Sequence, residues 1–106
     1  MEFVETGLFT RCIHELLSDD DYALLQSLLS VDPKIGALIP TGQGLRKVRW
    51  RASGTSRGKR GGIRVIYYCL SADQILFVYA YAKNKQSGLS RAELRTLVAC
   101  ARGSHG

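Results

Sequence analysis

The side chains of this sequence best suited to chemistry on a phosphate are cations, and they are crowded together. Between Pro33 and Ala72 there is no Asp or Glu, yet that stretch holds Lys34, Arg46, Lys47, Arg49, Arg51, Arg57, Lys59, Arg60 and Arg64. A solvated face ordinarily mixes signs. A block of one sign therefore points to a polyanionic partner, as does a formal net charge of +6 on 106 residues. Lys83 and Lys85 extend the block if the strand that precedes them lies beside the one that carries Arg64.

The kind of polyanion follows from where the cations sit. A reader of double-stranded DNA usually presents a basic recognition helix. Here the second predicted helix starts with three acids, and the last has only Arg91, Arg95 and Arg102. Cations displayed by strands suit RNA or another single strand better, with Tyr67, Tyr68, Tyr79 and Tyr81 as candidate stacking surfaces and about half of them expected in the core. Other chemistry is poorly supplied. His14 falls within a helix and His105 in the tail, a poor acid–base pair. Asp19, Asp20 and Asp21 are better explained as helix-start charges than as metal ligands. GKRGG lacks the spacing of a nucleotide-binding P-loop. Cys12, Cys69 and Cys100 are scattered in apolar stretches, which implies core packing in a reducing compartment and no disulfide framework or zinc site.

The elements that must hold these side chains can be read from periodicity and caps. Glu2–Glu5 is a short strand, and Phe9, Ile13 and Leu16 or Leu17 mark a first helix. Ser18 with Asp21 opens a second helix, stapled by Leu17 and Tyr22, and Pro33 ends it. Residues 34–44 read as a loop. LRKVRWR is a strand with Arg46, Val48 and Trp50 on one face and Lys47, Arg49 and Arg51 on the other. After the glycine-rich connection 52–62, GIRVIYYCL and QILFVYAYAK form two strands apolar on both faces, hence central in their sheet. Ser90 with Glu93 opens the last helix, stapled by Leu89 and Leu94, and the tail 103–106 frays. The fold expected is a single α+β domain: a short N-terminal strand, two helices, a three-stranded antiparallel meander and a C-terminal helix. MEFVETGLF lacks the basic start of a secretory signal, and no run reaches the ~20 apolar residues of a membrane helix. A soluble, cytoplasmic protein without membrane contact is the expectation.

The pieces GLRKVRW, GKRGGIRVIYY, the aromatic strand ending YAKN, and Leu89–Ser90 before the final helix resemble toxins of the RelE superfamily, in the HigB-like branch of bacterial type II toxin–antitoxin systems. The resemblance spans nearly the whole chain and implies a RelE-like fold. It implies a ribosome-dependent mRNA endonuclease that cleaves A-site mRNA by attack of the ribose 2′-hydroxyl, with no metal and no cofactor, and so inhibits translation. The partners implied are a cognate helix-turn-helix antitoxin, the 70S ribosome with its mRNA, and operator DNA reached only through the antitoxin. In-line attack needs a base, an acid and cations on the phosphate. No carboxylate or histidine is expected near the block, so a lysine crowded by arginines, Lys59 or Lys83, is the candidate base or acid. Arg60 and Arg64 are the candidate stabilisers of the transition state, while Arg46, Lys47, Arg49, Arg57 and Lys85 are the candidate RNA-binding cations. Some relatives carry a tyrosine in or just before the last helix, whereas this chain has none after Tyr81. A non-cleaving RNA- or ribosome-binding module, a gyrase-poisoning relative and a plain antitoxin-docking protein are the competing readings.

Overall fold

A computed structural model describes residues 1–51 and 62–103. The chain runs β1 (Glu2–Glu5), α1 (Gly7–Leu16), α2 (Asp19–Val31), β2 (Ala37–Leu38), β3 (Arg46–Trp50), β4 (Ile63–Ser71), β5 (Gln74–Ala82) and α3 (Arg91–Gly103). The helices start where side-chain oxygens can satisfy free amides. Thr6 Oγ1 accepts from Phe9 N at 3.1 Å, and Ser18 Oγ accepts from Asp21 N at 3.1 Å. At α3 the box is reciprocal, since Ser90 Oγ accepts from Glu93 N at 3.1 Å and Glu93 Oε1 from Ser90 N at 2.8 Å.

The strands form one sheet in the order β1-β5-β4-β3-β2. β3, β4 and β5 are the expected antiparallel meander, and the two doubly apolar strands are central. β1 adds in parallel beside β5. The segment read as a loop is more ordered than expected, because Ala37 and Leu38 pair with Lys47 and Arg46 as the outer strand β2. Two residues carry too little periodicity to announce a strand; polar anchors fix them instead. The buried Tyr67 hydroxyl accepts from Gly36 N at 2.9 Å and donates to Pro33 O at 2.7 Å. Arg46 donates to Gly36 O at 2.7 Å and Lys34 O at 3.2 Å. A Cβ on residue 36 would stand 2.8 Å from the Tyr67 ring, so only glycine lets the chain approach this closely.

Each face of the sheet has its own core. Phe9 and Ile13 of α1, Leu25 and Leu29 of α2, and Leu17 between the two helices pack on Ile63, Val65, Tyr67, Ile75 and Phe77. Leu97 and Ala101 of α3 pack on Ile66, Leu76, Val78 and Tyr81. The faces change register within β5. Ile66 pairs with Tyr79 but Tyr67 pairs with Phe77, which leaves Val78 as an extra residue in a β-bulge. Thr6 supports the irregularity: its hydroxyl donates to Val78 O at 2.8 Å and its amide to Phe77 O at 3.0 Å. Ile75 and Phe77 consequently face α1 and α2, whereas Tyr79 and Tyr81 face α3. The three cysteines form no disulfide and are half-buried, all packed at the edges of these cores as thiols. Among the described residues no helix is long and apolar enough to cross a membrane.

Candidate functional site

Strand alternation puts Lys47 and Arg49 of β3 on the α3 face, opposite Val48 and Trp50. In β4, Arg64 lies between Ile63 and Val65 and so faces the same way. Register completes a row: Arg49 pairs with Arg64, and Arg64 pairs with Tyr81. A second row beside it runs Lys47, Ile66, Tyr79. Arg64 is 7% exposed and Tyr81 4%, so both are held by the central strands, while Arg49 lies out in solvent. Two guanidiniums directly opposite on antiparallel strands repel each other. An anion over the pair turns that cost into binding, and the planar forks suit phosphate oxygens.

Lys83 follows Tyr81 by two residues, in the turn just past the end of β5. Its amide donates to Gly62 O at 3.0 Å, which ties it to the residue where the glycine-rich connection enters β4. Gly62 has φ +78°, a left-handed turn into the strand that disfavours a side chain. The Lys83 ammonium donates to Ser87 O at 2.7 Å. Lys85 is exposed in the same turn, and its amide donates to Ala82 O at 3.0 Å. Lys47, Arg49 and Lys85 have no side-chain hydrogen-bond or ion-pair partner among the described residues. Arg46 is placed elsewhere: it shares the face of Val48, and its guanidinium is taken up by the carbonyls of Lys34 and Gly36. Arg57, Lys59 and Arg60 lie outside the described residues.

The structure also brings in groups that sequence reasoning left out. The first is Glu93, a carboxylate close enough to act electrostatically on both Tyr79 and Tyr81. In sequence it reads only as the partner of Ser90 in a cap. It is held by Ser90 N and, at 3.2 Å, by Gln86 Nε2, and the Gln86 carbonyl oxygen accepts from the Tyr79 hydroxyl at 3.2 Å. These bonds hold its carboxyl below the usual carboxylate range, with the Ser90 amide the largest cause. Tyr81, expected from the sequence only as a candidate stacking surface, is instead buried beside Arg64, a register that strand alternation without the bulge does not give.

Burial pushes the Tyr81 phenol up; the Arg64 guanidinium opposes that and Glu93 adds to it. Tyr22, Tyr67 and Tyr79 are raised as well, each chiefly by burial. A folded tyrosine that keeps its proton beyond the ordinary value of 10.0 makes the unfolded chain lose protons first. Stability is then full below about pH 10 and falls as the pH rises toward the folded values. In an alkaline titration, phenolate absorbance from these four residues should rise together with loss of circular dichroism. Phenolate from all four ahead of unfolding would contradict their burial.

The family model described as the RelE toxin of the RelE / RelB toxin-antitoxin system matches residues 9–105. The chain belongs to the RelE toxin family. The match takes in most of α1 and every element from α2 to α3, together with the Arg49–Arg64–Tyr81 row and Lys83. As a RelE-family toxin the chain is one half of a toxin–antitoxin pair, and a cognate antitoxin is implied. The family is in general one of translation-inhibiting endoribonucleases. No cluster of His, Cys, Asp and Glu able to hold a metal occurs among the described residues.

Proposed function

We propose that this toxin belongs to the HigB-like branch and is a ribosome-dependent mRNA endonuclease acting in the cytoplasm on mRNA in the A site of the 70S ribosome. The observation that carries the reading is the Arg49–Arg64–Tyr81 row with Lys83 tied to the entrance of β4. In the step proposed, the ribose 2′-oxygen attacks the adjacent phosphorus as a base takes its proton. The P–O bond to the next 5′-oxygen breaks, and an acid protonates that oxygen. The products are a 2′,3′-cyclic phosphate and a 5′-hydroxyl, and no metal or cofactor takes part.

Arg64 and Arg60 stabilise the charge that grows on the phosphate oxygens. Lys59 or Lys83 serves as base or acid. Lys47, Arg49, Arg57 and Lys85 hold the flanking RNA backbone, while Arg46 braces β2. The Tyr81 phenol, neutral at cellular pH and pushed further up by burial, forms a wall beside Arg64. The antitoxin of this reading is a helix-turn-helix protein, and the toxin reaches operator DNA only through it.

Induction in bacteria followed by primer extension on a translated message tests the proposal. New 5′ ends within codons, absent when translation is blocked beforehand, are expected. Arrested translation with intact messages would replace cleavage by simple ribosome binding. A DNA-damage response with intact messages would point to gyrase instead.

A further inference from the structure

The outer side of α3 carries a second set of cations that the nuclease reading does not use. Arg91, Leu94, Arg95, Val98, Ala99 and Arg102 follow a spacing of three and four residues and so form one helix face. With Thr41 and Gln43 they line a groove of about 580 Å³. Its far wall is the turn between β2 and β3, where Gly42 N donates to Ile39 O at 2.9 Å and Leu45 N to Gly42 O at 3.1 Å. Thr41 and Gln43 take φ values of 60° and 52° there, a left-handed backbone that few side chains adopt. Arg102 is joined across the groove to the Gln43 side-chain oxygen. Arg91 and Arg95 are exposed and have no side-chain hydrogen-bond or ion-pair partner among the described residues. A smaller recess of about 130 Å³ adjoins the groove at Gln43, Val98 and Arg102 and reaches Leu45, Tyr68 and Ala101.

The lining selects the ligand. Three arginines without a carboxylate among them call for anions, and α3's own acid, Glu93, is turned to Ser90 and Gln86. The floor between the arginines is aliphatic, and the recess offers space for an apolar anchor. A single-stranded nucleic acid ordinarily also stacks its bases on aromatic faces. The main groove has no aromatic residue in its lining, and Tyr68 of the recess is half-buried. An amphipathic helix with carboxylates beside its apolar stripe matches both the charge and the floor. The groove is also separate from the nuclease row, since Tyr68 lies four residues along β4 from Arg64, about 13 Å at strand rise.

We propose that the groove between α3 and the 39–45 turn binds an acidic, amphipathic helical segment of the neutralising antitoxin. The naming of that partner rests on the toxin reading; the chemistry of the groove does not. An occupant here leaves Arg64 uncovered and keeps the toxin from its target by its bulk.

The test is anisotropy on the purified full chain with a labelled synthetic helix of Leu and Glu, Leu at three- and four-residue spacing and Glu beside it. Arg91→Glu with Arg95→Glu should weaken binding about tenfold or more. Arg11→Glu with Lys34→Glu, an equal change of charge elsewhere, should hold it within about twofold. Equal loss in both double variants, or unchanged binding in the first, overturns the proposal. So does loss of binding to a uridine-rich single strand by the first variant while peptide binding persists, which would make the groove an RNA tract. Binding is read on the isolated chain, so the result stands apart from whether the chain arrests growth. In cells the Arg91→Glu/Arg95→Glu toxin should still cut mRNA yet escape its co-expressed antitoxin.

Discussion

Replacing Arg64 with alanine should lower mRNA cleavage about 100- to 1,000-fold, the usual consequence of removing one preorganised group that stabilises transition-state charge. The position argues for a value in this range. Arg64 stands on a central strand between β3 and β5, is 7% exposed, and has Arg49 and Tyr81 directly beside it. A guanidinium so placed is oriented before substrate arrives, which is where fixed charge contributes most. Arg64→Lys should recover only part of the rate, because an ammonium keeps the charge and loses the planar fork. Rates would be measured in a reconstituted translation system, with thermal melting to confirm folding. Cleavage by a folded Arg64→Ala protein at the rate of the parent would remove Arg64 from the mechanism. Arg49→Ala should act differently: an exposed strand cation contributes to binding, so its removal should raise KM. The salt dependence should flatten as well, by about 0.7 in log–log slope for each phosphate that is no longer neutralised.

The second large effect is on stability. Phe77→Ala should cost about 3–5 kcal/mol. Phe77 is fully buried and stacks on Phe9 and Phe3 with ring centroids 4.8 and 5.5 Å away, while Tyr22 meets it edge-on at 5.5 Å. One ring thus joins β1, α1 and α2 to the sheet. For domains of this size the total stability is about 5–15 kcal/mol, so the loss approaches the whole margin at the low end. Urea denaturation should show the midpoint falling with little change in slope. A shift worth less than about 1 kcal/mol would mean that the site collapses around the cavity and that the aromatic cluster does not anchor the fold. Because Phe77 neighbours the Val78 bulge, the variant is also expected to lose activity through a displaced Tyr81, ahead of global unfolding.

Much of the architecture was legible in the chain. Ser18 and Ser90 named two helix starts through local hydrogen bonds, which need nothing beyond neighbouring residues. The doubly apolar runs of β4 and β5 required cover on both faces, and the helices on either side of the sheet supply it. The acid-free block from Pro33 to Ala72 marked out the cationic strands, because a charge imbalance is a property of composition. β2 was not legible. It is held in place by Tyr67 and Arg46, which lie 31 and 10 positions from the Gly36 they grip.

The site followed the same division. Alternation along β3 separated Arg49 from Trp50, and alternation along β4 put Arg64 opposite Val65; both follow from the two-residue period of a strand. The same rule applied to β5 would have aligned Tyr79 and Tyr81 with Ile75 and Phe77, against α1 and α2. The extra residue at Val78, held by Thr6 from 72 positions away, reverses that and delivers Tyr81 to Arg64. Only the tertiary structure decided it, since a bulge is fixed by the pairing of two strands and a distant hydroxyl, and none of these is encoded in the local pattern. The sequence by itself determined that the chain carries a cationic block on its strands; the register of β5 decided which side chains stand beside Arg64.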